Sequence, residues 1–100
     1  MNSARMFLPN HQIVEYQYPP RSHLPRFLKG KGVQNYEPIT LAAFLASADL
    51  RPGAILDIGA NIGVFANSAA ATLKRPVYAF EPFEPAANVL QKIAETYEFP

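Results

Sequence analysis

The stretch A-I-L-D-I-G-A-N-I-G at positions 54–63 constrains the fold more than any other part of the chain. Ala54 to Ile58 is short, apolar apart from Asp57, and bounded by glycines, as in a strand covered on both faces of a parallel sheet. Ile62, Phe65, Ala66, Ala69 and Leu73 then recur at helical spacing, and Pro76 ends that helix. Val77 to Phe80 is a second short apolar run and closes on Glu81-Pro82. A strand, a crossover helix and a second strand within about thirty residues make a βαβ unit with a strong right-handed preference.

The flanking segments extend this pattern. Leu41, Phe44, Leu45 and Ala48 predict a helix that begins near Pro38, capped by Thr40 or a residue just before it, and stopped by Arg51-Pro52-Gly53. Ala86, Val89, Leu90, Ile93 and Tyr97 mark a third helix, with Pro85 suited to its first turn. Lys74-Arg75 falls where positive charge complements the C-terminal end of the middle helix. These stripes, Phe44, Leu45, Phe65, Leu90 and Ile93 among them, read as core. The expected architecture is therefore an α/β domain over residues 37–100. Residues 1–36 read as an irregular basic leader punctuated by Pro9, Pro19, Pro20 and Pro25, with Ile13–Tyr18 alternating like one short strand.

Charge is divided unevenly. Residues 1–35 hold five basic groups (Arg5, Arg21, Arg26, Lys29, Lys31) against Glu15, whereas residues 36–100 hold four basic and seven acidic groups. The net charge of +1 and the lack of repeated aromatic–basic interleaving give no nucleic-acid footprint. With no cysteine there is no disulfide framework or thiolate chemistry, and His11 and His23 lack metal-ligand spacing. No apolar run reaches membrane-spanning length, and Met1 to Pro9 lacks the apolar region of a signal peptide, so the expected setting is cytoplasmic.

Chemistry concentrates at the glycine turn. Ligands of open parallel sheets bind at the carboxyl ends of the strands, where Asp57 and Glu81 both fall. A charge within an apolar run asks for a partner. Gly59 and Gly63 lack the spacing and the Lys–Ser/Thr pair of a phosphate cradle. The dinucleotide pattern G-x-G-x-x-G also fits poorly, since Asn61 and Val64 occupy its second and third places, and this disfavours a nicotinamide enzyme. The arrangement acid-x-G-x-(G/N)-x-G fits, and the strand acid suits a cationic ligand. Glu81 follows Gly59 at close to the interval at which a carboxylate reaches a ribose diol. An amino-acid head and a ribose held by two carboxylates describe S-adenosyl-L-methionine. Asn61 either tolerates an unusual backbone angle or caps the next helix.

D-I-G-A-N-I-G followed by V-Y-A-F-E-P resembles the start of the FkbM family of S-adenosylmethionine-dependent methyltransferases, over roughly residues 36–95. The resemblance implies a Rossmann-like class I methyltransferase fold, here its first βαβ unit with a preceding and a following helix. It implies that Asp57, Gly59, Ala60, Asn61 and Gly63 line the methionine part of the cofactor. It implies further that Glu81 accepts from both ribose hydroxyls and that Phe80 and Pro82 border the adenine. Members of the family are thought mostly to methylate oxygen, often on sugars or natural products, so a small-molecule or sugar acceptor is expected. Further strands of such a domain, with the acceptor pocket and any catalytic base, have no counterpart in these residues.

Two parallel strands leave open edges. The chain alone is therefore expected to be marginal, to associate, or to pair with a complementing chain. The alternative to a methyltransferase is a non-catalytic remnant or a split-protein subunit that pairs through that edge. Tyr16, Tyr18 and Phe27 are expected to pack locally or lack order, rather than to cover the crevice.

Overall fold

The computed structural model describes residues 1–20 and 36–100. Over these residues it is a small α/β domain with two two-stranded sheets and three helices. The order is β1 (Asn2–Phe7), β2 (Ile13–Tyr18), α1 (Pro38–Asp49), β3 (Ile55–Ile58), α2 (Val64–Leu73), β4 (Val77–Phe80) and α3 (Glu84–Tyr97).

The βαβ unit forms as expected. β3 and β4 pair in parallel with Ile55 opposite Val77 and Asp57 opposite Ala79, and α2 connects them. Side chains alternate across a strand, so Ile55, Asp57, Val77 and Ala79 share one face of this ribbon. α2 and α3 lie on that face. Ala66 of α2 and Leu90 of α3 join Ala60 in a small buried cluster, with Val77 packed against it. The other face carries Leu56, Ile58, Tyr78 and Phe80, and all four are exposed, Ile58 by 81%.

Residues 1–20 do not form the irregular leader expected of them. β1 and β2 make an antiparallel hairpin, with Arg5 opposite Glu15 and Met6 opposite Val14. The physical reason lies in where the prolines fall. Pro9 sits in the connection and Pro19 just past β2, so neither removes a ladder donor. The connection is closed by the His11 amide donating to the Leu8 carbonyl and by the Gln12 amide donating to Asn10 Oδ1, with His11 in the left-handed region at φ 69°. The alternation expected over Ile13–Tyr18 is real: Val14, Tyr16 and Tyr18 are buried and the residues between them exposed. Phe27 and the basic residues at 21, 26, 29 and 31 lie outside the described residues.

Among the described residues, the hairpin supplies five of the twelve buried residues in the main core cluster. Met6, Leu8, Val14, Tyr16 and Tyr18 cluster with Leu41 of α1, Val64 and Ala71 of α2, and Val89 and Ile93 of α3. The Tyr97 hydroxyl accepts from the Glu15 amide at 2.6 Å and fastens the end of α3 to β2. Phe44 and Phe65, with ring centroids 5.4 Å apart, join α1 to α2. Tyr16 is the tight spot in this packing. Its hydroxyl is buried without a hydrogen-bond partner, and burial, with the neighbouring Tyr18 second, pushes its pKa up to about 12.

Two helix ends differ from expectation. α1 has Pro38 in its first turn as foreseen, but its cap position is Glu37 at φ 45°, with no side-chain cap. Arg75 does not complement its own helix. Its guanidinium donates to the carbonyls of Ala48, at 2.6 Å, and Arg51, at the end of α1. Lys74 closes α2 in the left-handed conformation. Among the described residues, no helix is long and apolar enough to cross a membrane.

Candidate functional site

The residues singled out in the sequence meet at the carboxyl ends of β3 and β4. Asp57 and Ala79 are register partners, and Glu81 lies two residues beyond Ala79, so both carboxylates take the face covered by α2 and α3. They are close enough that the charge of Glu81 acts on Asp57.

The turn between β3 and α2 is stitched to the tip of β4. The amides of Gly59 and Ala60 both donate to the Phe80 carbonyl, at 2.8 and 3.0 Å. The Asn61 amide donates to Glu81 Oε1 at 2.7 Å, and the Phe83 amide donates to Glu81 Oε2 at 2.9 Å. The Gly63 amide donates to the Ala60 carbonyl at 3.0 Å and closes the turn. Gly59, Asn61 and Gly63 all have positive φ, at 81°, 55° and 96°. Asn61 therefore takes the unusual backbone angle. It is not the helix cap, because Gly63 holds that position and no side chain caps α2 there.

The two glycines do different work. A side chain at Gly59 would meet nothing within 4 Å, so its bare backbone borders open space. A Cβ at Gly63 would lie 2.4 Å from Leu90 Cδ1 and 2.7 Å from Asn67 Nδ2. Gly63 is thus a packing glycine that lets the start of α2 settle on α3, whereas nothing packs against the Cβ side of Gly59. Ala60 is buried, Pro82 is exposed, and the Phe80 ring lies on the outer face with Ile58, away from the carboxylates. What Phe80 brings to the crevice is its carbonyl.

Asp57 is half-buried. Burial raises its pKa above the ordinary 3.8; a hydrogen bond from the Ala66 backbone lowers it in part, and the charge of Glu81 raises it further. Ala66 is in the first turn of α2, so Asp57 reaches the free amides that open that helix. Its Oδ2 atom is nonetheless buried without a partner.

Three features were not read from the sequence. Asn67 is buried, and its amide donates to the Ile62 carbonyl at 3.3 Å, supporting the turn from beneath. Its signal was a lone polar side chain in an alanine-rich helix. Beside it a cleft of about 310 Å³ opens between α2, β4 and α3, lined by Ala70, Ala79, Glu81, Ala87 and Gln91 among others. The wide groove of about 810 Å³ between the hairpin and the end of α3 has no counterpart in the sequence reading.

No family model, curated protein or solved structure matches the chain.

The division between the glycines predicts different costs. Gly63→Ala adds a buried clash to a left-handed backbone and is expected to lose about 2–4 kcal/mol in urea unfolding. Gly59→Ala meets only the backbone penalty, about 1–2 kcal/mol. Equal losses would contradict the assignment.

Asp57 gives a pH prediction. Because its folded pKa is raised, the stability it contributes is fully present below 3.8 and is lost as pH rises through the folded value. Asp57→Asn keeps an acceptor for Ala66 and removes the charge. It is expected to raise Tm at pH 7, with the advantage vanishing below pH 3.8 in a thermal-melt series.

Proposed function

We propose that this chain carries the cofactor-binding part of an S-adenosyl-L-methionine-dependent methyltransferase of the Rossmann-like class I fold, transferring methyl groups to oxygen of a small-molecule or sugar acceptor. The observation that carries the reading is the convergence of Asp57 and Glu81 on one face beside the bare backbone of Gly59. A cytoplasmic setting belongs to the same reading.

The residues present suit such a cofactor. Gly59 has room for a ligand against its backbone, and Asp57 keeps a buried oxygen without a donor, which an ammonium group would satisfy. Glu81 has acceptor capacity left after its two amide bonds, since a carboxylate takes about four donors. Bound, the cofactor supplies a methyl group activated by its sulfonium. The chain's own contribution is to hold and orient it, which is the larger part of catalysis in a displacement that depends on alignment. The Cβ side of Gly63 is taken by Leu90 and Asn67, so only its opposite backbone face is open to a ligand.

The test is calorimetric titration of the full chain with S-adenosylmethionine. Binding is expected, and Gly59→Ala should weaken it by at least about tenfold while the protein stays folded. A wild-type chain that takes up no cofactor, or an unchanged affinity in the folded variant, overturns the reading.

A second reading is a non-catalytic subunit or remnant that pairs with another chain through the open edge of the β3–β4 ribbon. It is favoured by the exposed apolar face of Leu56, Ile58, Tyr78 and Phe80, since parallel sheets are normally covered on both faces. Light scattering over a concentration series checks it. Association is expected in the wild type and should be suppressed by Ile58→Glu with helical circular dichroism retained. A monomer at every concentration, with no partner captured, removes it.

A further inference from the structure

We infer that Glu81 is the positioning residue of the glycine turn, a clasp that sets the backbone of residues 59–63 before any ligand arrives. The inference rests on the methyltransferase reading only for what the clasp is used for, since the clasp itself is a matter of protein geometry.

Three observations carry it. Both Glu81 oxygens accept a backbone amide, one from Asn61 across the crevice and one from Phe83 two residues along the chain. Asn61 holds φ 55°, a left-handed conformation that asparagine takes more readily than most residues with a side chain, and its amide points at the carboxylate rather than into a ladder or helix. Three further amides of the turn are committed, those of Gly59 and Ala60 to the Phe80 carbonyl and that of Gly63 to the Ala60 carbonyl. One short segment, Phe80-Glu81, therefore receives three of the turn's amides, two through its backbone and one through its side chain.

Side-chain length sets the reach. The Phe83 bond is local, of a kind that a shorter aspartate also makes to the amide two residues on. The Asn61 bond spans from the end of β4 to the turn and needs the second methylene of glutamate. A strand-ending glutamate before proline would otherwise be solvated, so its two bonds make it a part of the fold as well as of the site. A ligand diol placed on Glu81 would then bind an acceptor whose direction the turn has already fixed, and the halves of the site on β3 and β4 would respond together.

The experiment is amide hydrogen exchange by nuclear magnetic resonance on the full chain, wild type and Glu81→Asp, with thermal melts to confirm folding. The Asn61 amide should exchange at least about tenfold more slowly in the wild type than in Glu81→Asp, while Phe83 stays protected in both. An Asn61 amide that exchanges freely in the wild type, or at the same rate in the folded variant, overturns the clasp. Adenosine and 2′-deoxyadenosine are then added to the wild type. Only adenosine, with its vicinal diol, should shift the Asn61 and Phe83 resonances together. Protected amides that neither nucleoside moves leave the clasp standing and remove its use in a methyltransferase, so the two failures are told apart.

Discussion

The parallel register of β3 with β4 fixes everything that lies beyond the strand ends. Pairing Asp57 with Ala79 sends both carboxylates to one side, since side chains alternate and Glu81 is two positions past Ala79. A slip of β4 by one residue would move Glu81 to the bare outer face beside Ile58, turn Phe80 inward, and leave the Asn61 amide without its acceptor. Polar chemistry and register are thus not independent. The stitches from Gly59, Ala60 and Asn61 to Phe80 and Glu81 continue the ladder past its last formal pair and lock the alignment that creates them.

This arrangement holds two negative groups near each other with little direct relief. Glu81 is satisfied by backbone amides, while Asp57 has the Ala66 backbone and an orphaned oxygen. An apolar residue at 57 would bury more comfortably. A carboxylate kept there with one oxygen buried and unpaired, next to a turn with open backbone, is a polar group that packing alone does not explain.

The strand, helix and turn positions over residues 37–100 were legible because their signals are local: period 3.6 in the helices, short apolar runs between glycines in the strands, prolines at the breaks. The convergence of Asp57 and Glu81 was legible for the same reason, given parallel pairing. The hairpin was not, because β1 has little pattern of its own. Asn2–Phe7 buries only Met6 fully and becomes a strand by pairing with β2, which itself rests on α3. Arg75 and Asn67 escaped too, as their partners, the Ala48 and Ile62 carbonyls, are backbone groups whose positions no residue pattern announces. The different duties of Gly59 and Gly63 depend on Leu90, which is distant in sequence.

Helix α3 is committed on two sides. Val89 and Ile93 face the hairpin core, while Leu90 faces the cluster under the ribbon and fills the gap beside Gly63. Neighbouring positions on a helix differ by about 100° of rotation, so Val89, Ile93 and Leu90 share one stripe about 100° wide, and both duties fall on that stripe. Such a helix cannot roll to accommodate a change on either side. It behaves as an axle whose angular setting ties the hairpin to the crevice, and a single inserted residue near its middle would turn every later side chain away from its seat.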